Sequence, residues 1–221
     1  MAHASARIHD FLAAAAATFR QEGAEVFAQK TAASLGLRRI YLLAADTAAM
    51  PTTSEAQIPL DLRWLRPTEL ELLFASQPEI RRSRAERDLA AGRLCLVALH
   101  EGKIVGSSFI ARDAITSVWA RVNRPLAKDE AYVYAAHTVP ALRSRGINSA
   151  LNARLAVLLR ETGVRRTFRL VLPWNHAALT SSHKSGFMLY GEFLSLGLGG
   201  WSRTWLIPRT ADPSTANQPP P

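Results

Sequence analysis

The 221-residue sequence predicts a mixed α/β domain, a central sheet flanked by helices, behind an N-terminal helical appendage. Three observations lead there. Apolar runs of period two alternate along the chain with stretches of helical period. From residue 61 they fall in the order strand, two helices, three strands, strand, helix, strand, helix, two strands, the pattern of a mixed sheet with helices on its faces. Hydrophobic residues make up 48% and charged residues 20%, enough apolar surface for a sizeable core and too much for a disordered chain.

In chain order, residues 5–34 read as one or two amphipathic helices packed on the body of the protein. Ile8, Phe11, Leu12, Ala15, Phe19, Val26 and Phe27 recur at roughly helical spacing, and Gly36 supplies the stop. A short strand over 39–45 follows. Residues 47–59, rich in Thr, Ser, Pro and Ala, read as a linker that separates an appendage (1–59) from the main domain (60–207). Residues 62–65 form a brief strand, and Pro67 and Pro78 open helices that run to about 76 and 91. The alternating runs 94–99 and 104–110, joined by His100-Glu101-Gly102-Lys103, make a hairpin. A weaker strand is expected over 115–122, a polar loop over 123–129, and a strand over 132–139 stopped by Pro140. Ile147, Leu151, Leu155 and Leu158 share one face of a helix over 146–162 that Gly163 ends. A strand over 167–172, a helix over 175–185 and strands over 187–196 and 201–207 complete the domain. The Pro-, Ser- and Asn-rich residues from 208 onward read as a disordered tail.

Composition narrows the partners. Lys and Arg number 27 against 18 Asp and Glu, a formal charge of +9. Residues 131–209 concentrate it, with only Glu161 and Glu192 against ten basic residues, so a polyanionic ligand should meet the C-terminal half. No nucleic-acid recognition motif accompanies that charge, and no nucleic-acid partner is expected. The alanine-rich residues 11–19 reach about half the length that spans a bilayer. Asp10, Glu22 and Glu25 interrupt what could pass for a targeting peptide. A single cysteine, Cys95, mid-strand and read as core, leaves no internal disulfide and no Cys-rich zinc site. Reducing, cytoplasmic surroundings and no bound metal are expected.

The segment that carries chemistry runs from Val139 and Pro140 through Arg143, Ser144, Arg145 and Gly146 into the helix containing Ile147, Asn148 and Ser149. The first amides of a helix have no internal acceptor, and the helix dipole places partial positive charge on them. A basic turn of small residues there suits a pyrophosphate. A second helix, opened by Asn175 and closed before Gly186-Phe187, should flank the same crevice at the strand ends.

These residues resemble the GNAT superfamily of acyl-CoA-dependent acyltransferases. The family's Arg/Gln-x-x-Gly-x-Gly/Ala turn reads Arg143-Ser144-Arg145-Gly146-Ile147-Asn148, preceded by Val139-Pro140. The family's later Asn and Gly-Phe pair match Asn175, Gly186 and Phe187. Ile104-Val105-Gly106 is similar to a central strand. The resemblance covers about 60–207 and implies a mostly antiparallel sheet. It also implies acetyl-CoA or another acyl-CoA as cosubstrate, with its pyrophosphate on the amides of Arg143 to Ser149. Its pantetheine should run between strands 132–139 and 167–172, beside Thr138 and Val139, with Asn175 nearby. The amide near Val139 should hold the thioester oxygen. An amine attacks directly, with no metal and no covalent enzyme intermediate.

Two positions depart from the family. Asn148 stands where Gly or Ala is expected. Ser182 stands where a tyrosine often protonates the leaving thiolate, with His183 about 100° round the helix. For a base, the strand offers Glu130, Tyr132 and Tyr134 on one face, and His137 on the other if no bulge intervenes. Trp174 adjoins Asn175 and reads as packing. Arg81, Arg82, Arg84 and Arg87 line a helix near the expected acceptor opening. The reading that follows is an N-acetyltransferase acting on an amine of a small-molecule acceptor. The alternative is a non-catalytic acyl-CoA-binding or regulatory module on the same fold.

Overall fold

The computed structural model describes residues 24–78, 80–198 and 201–209. The expected helix before residue 24 and the tail from residue 210 lie outside the described residues. The chain opens with α1 (Ala24–Ser34) and β1 (Leu37–Asp46), then an irregular segment leading to β2 (Asp61–Trp64), α2 (Leu70–Ser76) and α3 (Arg82–Ala90). The hairpin β3 (Leu94–His100) and β4 (Lys103–Ala111) follows, then β5 (Ala114–Ser117) and β6 (Val122–Pro125). The second half runs β7 (Glu130–Thr138), α4 (Ile147–Glu161), β8 (Arg166–Val171), α5 (His176–Lys184), β9 (Met188–Leu198) and β10 (Trp201–Pro208).

Eight strands form one sheet in the order β10-β9-β1-β8-β7-β4-β3-β2. Every pair is antiparallel except β7 with β8. Period-two alternation splits the strands between two layers. Leu96, Ala98, Val105 and Val133 pack under Ile147, Leu151, Leu155 and Leu159 of α4. On the other face Cys95, Val97, Phe109 and Tyr134 pack against Leu73 of α2 and Ala85 of α3.

Four expectations change. The helix expected from Pro78 begins only at Arg82, and the first residues of the expected loop over 123–129 belong to a strand, Val122–Pro125. The run over 115–122 is not one strand of the main sheet. It folds back on itself as the two-stranded β5–β6 sheet, with Ser117 opposite Val122 and Arg121 at φ 52°. Ile115, Ala120 and Val122 roof the second face near Ile40, Leu42 and Phe193. The strand assigned to the appendage is β1, and it lies inside the sheet, paired with β8 on one side and β9 on the other. The sheet therefore crosses the boundary drawn at residue 59. Leu42 and Leu43 are 0% and 1% exposed, so β1 is covered on both faces as an interior strand must be.

If β1 is integral to the sheet, Leu42→Ala should cost roughly 2–5 kcal/mol, the usual range for emptying a core leucine. Urea unfolding should show the loss in the one main transition. A removable appendage would leave that transition in place.

Candidate active site

The site begins with a register error that the strand keeps. Phe109 of β4 lies opposite Tyr134, and Ser107 lies opposite His137. One residue of β4, Ser108, thus faces two of β7, Ala135 and Ala136, a bulge, and within it Ala135 takes φ 49°. Because Ser107 and Phe109 share a face, the bulge turns His137 to the side of Tyr134 rather than the opposite side. On its other edge β7 pairs with β8 only at Glu130, Ala131 and Tyr132. Beyond Tyr132 the two strands part and leave a slot.

At the end of the slot sits the turn into α4. Val139 leads into a short 3-10 turn over Pro140–Leu142, and Arg143, Ser144 and Arg145 are exposed. Gly146, at φ 79°, is the N-cap and has no side chain to cap the helix. The first helical bond is from Ala150 N to Gly146 O at 2.9 Å, which leaves the amides of Ile147, Asn148 and Ser149 without an intrahelical acceptor. Asn148 turns its amide sideways, donating to Ser181 Oγ of α5 at 2.6 Å, and so does not project over the helix end. The irregular segment before β2 leans on the turn: Gln57 N donates to Arg145 O at 2.9 Å, and Glu55 O lies 2.8 Å from where a Cβ on Gly146 would stand.

The other residues expected to bind cofactor separate. Val139 N does not face the slot, because it donates to Val105 O of β4 at 3.0 Å. Strand alternation aims the neighbouring Thr138 amide the other way, and the Thr138 carbonyl accepts from Arg143 Nε at 3.3 Å. Asn175 is the N-cap of α5, its Oδ1 accepting from Ala178 N at 3.1 Å. Trp174 packs edge-on against Trp119, with ring centroids 5.9 Å apart.

The acid and base candidates also scatter. Glu130 starts β7, and its Oε2 accepts from Ala127 N at 3.0 Å. It is five residues, about 17 Å along a strand, from the bulge. Tyr132 and Tyr134 stack at 5.1 Å. Burial pushes the pKa of both phenols up, and for Tyr134 the hydrogen bond it donates to Asp88 pushes the same way, so both favour the neutral phenol, the form that donates a proton rather than accepts one. Ser182 is buried inside α5, and His183 is exposed. Cys95 is core, its thiol pushed up to about 12 by burial, so it is no nucleophile.

With this geometry in view, the comparisons are decisive for the family. The model of the acetyltransferase (GNAT) family matches residues 61–187. The chain belongs to the GNAT acetyltransferase family. Solved structures share the GNAT fold at low identity. One is a GCN5-related glucosamine N-acetyltransferase region of a fungal multi-domain GH3 β-N-acetylglucosaminidase (16% identity, TM-score 0.57, 76% of this chain and 22% of that one). Others are a functionally unknown conserved protein of Staphylococcus epidermidis (11%, TM-score 0.52, 76% and 65%) and a Novosphingobium aromaticivorans protein described under the GNAT family (18%, TM-score 0.50, 79% and 69%). The chain thus spans about a fifth of the first structure and about two thirds of the other two. No curated protein matches by sequence. No helix among the described residues is long and apolar enough to cross a membrane.

Sequence reasoning missed Asp88. It read α3 as charged on most faces, which hides the one acid turned inward. Asp88 Oδ2 accepts from Tyr134 Oη at 2.8 Å, and Oδ1 accepts from Arg93 Nη1 at 2.9 Å. Only the folding of α3 onto β7 brings these groups together.

The raised tyrosine pKa values give a prediction with a definite sign. The native state favours the neutral phenol, so the stabilisation is full below pH 10, the unfolded value, and drains away as pH rises beyond it. Absorbance titration should show two of the four tyrosines ionising only together with alkaline unfolding. Four ordinary titrations in the folded protein would contradict the burial of Tyr132 and Tyr134.

Proposed function

We propose that the chain is an acyl-CoA-dependent N-acyltransferase that moves an acetyl or other acyl group to an amine of a small-molecule acceptor. The observation that carries this reading is the alignment of two gaps in hydrogen bonding. β7 leaves β8 after three residues, and the resulting slot ends at the unsatisfied amides of α4. The pyrophosphate would take the amides of Ile147 to Ser149, with Arg143, Ser144 and Arg145 closing around it. The pantetheine would lie along the free edge of β7 in place of a strand, hydrogen-bonded as a strand would be.

The thioester then emerges beside the bulge. The amine nitrogen attacks the thioester carbon, and negative charge moves to the carbonyl oxygen. The Thr138 amide supports that charge better than the engaged Val139 amide. Collapse of the tetrahedral species breaks the C–S bond and releases coenzyme A thiolate. A free thiol has a pKa near 8.5, so the thiolate can leave without an acid. The proton lost by the nitrogen passes to water. No metal takes part in this scheme.

The second reading, a non-catalytic acyl-CoA-binding module, draws support from one set of observations. Tyr132 and Tyr134 hold their protons, Ser182 is buried, and Glu130 is tied to its own loop. Free-thiol release from acetyl-CoA with a pool of amines separates the two. Release above the amine-free rate supports the enzyme, and stabilisation by acetyl-CoA without release supports the module.

Acetyl-CoA at a hundredfold excess over its Kd should stabilise the protein by about 2.7 kcal/mol in a thermal melt. Ser149→Glu should weaken that binding on the order of 10–100-fold, because its carboxylate occupies the anion's place. The same carboxylate at the third helical position favours the helix, so the melting temperature without ligand should hold or rise. Unchanged acetyl-CoA affinity in this variant would remove the pyrophosphate from the mouth of α4.

A further inference from the structure

We propose that the acceptor is an amine bearing a single carboxylate, which Arg81 and Arg84 hold in the cavity beside the β7 bulge. Calling the bound molecule an acceptor rests on the acyltransferase reading above. The preference of the cavity for an anion does not.

The cavity has a volume of about 270 Å³ and includes Arg81, Arg84, Asp88, Phe109, Tyr134 and Ala135 in its wall. Ala135 is the bulge residue, three residues past the last β7–β8 pair at Tyr132, so the cavity opens beside the start of the slot, away from the end that meets α4. A molecule seated there has its reactive atom near the thioester and its remainder against α3. The volume lies just under the usual range for ligand cavities, about 300–1,000 Å³, and suits a small acceptor.

Charge decides the class. The wall holds two guanidinium groups and one carboxylate. An acceptor's ammonium would need that carboxylate, but Asp88 is already engaged on both oxygens. Arg93 donates to Oδ1 at 2.9 Å, Tyr134 donates to Oδ2 at 2.8 Å, and Arg84 Nε stands 3.7 Å from Oδ2. At 3.7 Å the Arg84 contact is an ion pair without a good hydrogen bond, and the side chain is half exposed. Its fork of N–H donors, like that of the exposed Arg81, remains available to a ligand. With Arg93 and its second partner Asp113 counted, three guanidinium groups face two carboxylates; the one surplus positive charge calls for a monoanion, and a planar guanidinium matches a carboxylate with two parallel hydrogen bonds. Phe109, and Ile80 at the rim, give the carbon skeleton an apolar wall. The amine is then left unpaired by any acid, as a nucleophile must be.

The test uses the full chain and product-like probes: N-acetyl amino acids, their primary amides and N-acetyl ethanolamine phosphate, each titrated by NMR. Carboxylates should bind on the order of 10–100-fold tighter than the matching amides, the range for charge-assisted hydrogen bonds. In the Arg81→Gln/Arg84→Gln double variant that ratio should fall to near one. Both positions are exposed, so the fold should persist, and stabilisation by acetyl-CoA should match that of the parent. Equal affinity for acid and amide, tighter binding of the phosphate, no binding of any probe, or a ratio that survives the double substitution would each overturn the proposal. A carboxylate preference that collapses as expected, in a protein that acetyl-CoA does not stabilise, keeps the anion site and instead overturns the acyltransferase reading.

Discussion

Parallel strands lie about 4.8 Å apart and exchange hydrogen bonds along their shared length, yet β7 and β8 do so only from Glu130 to Tyr132. That interrupted ladder is what the remainder of the site depends on. A strand that gives up its partner must be held by its other edge, and each side here has such a holder. β7 stays paired with β4 through the bulge to Gly106 and Thr138, and Val139 N adds a bond to Val105 O. β8 pairs with β1 over the whole run from Tyr41–Val171 to Asp46–Arg166. Without β1, β8 would keep three pairings and nothing else in the plane of the sheet. The insertion of β1 is thus what permits the slot, and the left-handed Ala135, at a cost of about 1–2 kcal/mol, bends β7 away from β8.

The helices on either side of the slot are tied by polar rungs rather than by apolar packing alone. Asn148 donates to Ser181 Oγ, and one turn later Asn152 donates to Ser185 Oγ at 2.8 Å. The carbonyl of Asn152 in turn accepts from Arg169 of β8, which is fully enclosed with its guanidinium 4.3 Å above the ring of Phe187. Burial lowers the Arg169 pKa to about 10, far enough above neutrality that it remains charged. Asn148, the residue that departs from the family turn, therefore has a place in this set: a Gly or Ala there would leave the first rung between α4 and α5 unmade.

What could be read in advance was what local chemistry decides. The α4 helix was legible from Ile147, Leu151 and Leu155 and from Gly163 behind it, and the bulk of the strands from their alternation. The basic turn into α4 was legible as a turn because Pro140 stops the strand before it and the helical period begins after Gly146. Pairing partners were not. Nothing in the run over 39–45 says that it lies between two strands that follow it by more than a hundred residues, since alternation specifies a face and not a neighbour. The bulge was equally silent, because Ala135 and Ala136 carry no sign of a positive φ, and with it went the side to which His137 points. Asp88 was invisible for the opposite reason. On a helix with Arg84, Glu86, Arg87 and Arg93 nearby, one carboxylate among many charges becomes distinctive only when Tyr134 reaches it.

Gly146 shows how a motif residue can carry two constraints at once. Its φ of 79° alone excludes most side chains. The resemblance to the family assigns its lack of a side chain to close approach by phosphate. In this chain the first atom that a Cβ would meet is Glu55 O, and Ala56 Cα stands behind it at 3.2 Å. The segment joining β1 to β2 is therefore moulded to the same glycine. Gly186, at the other end of the cleft, lies 3.5 Å by the same measure from Met50 Cα, at the start of that segment. One stretch of backbone thus touches both glycines of the two family motifs, and it is anchored by β1 on one side and β2 on the other. A bulky residue at Gly146 would first dislodge this strap and only then meet a ligand, so loss of binding on its substitution says nothing specific about phosphate. Ser149, in the first turn of the helix, faces the same strap across an open cavity that Pro51, Thr53 and Ser54 also line, so a longer side chain there finds room where one at Gly146 does not.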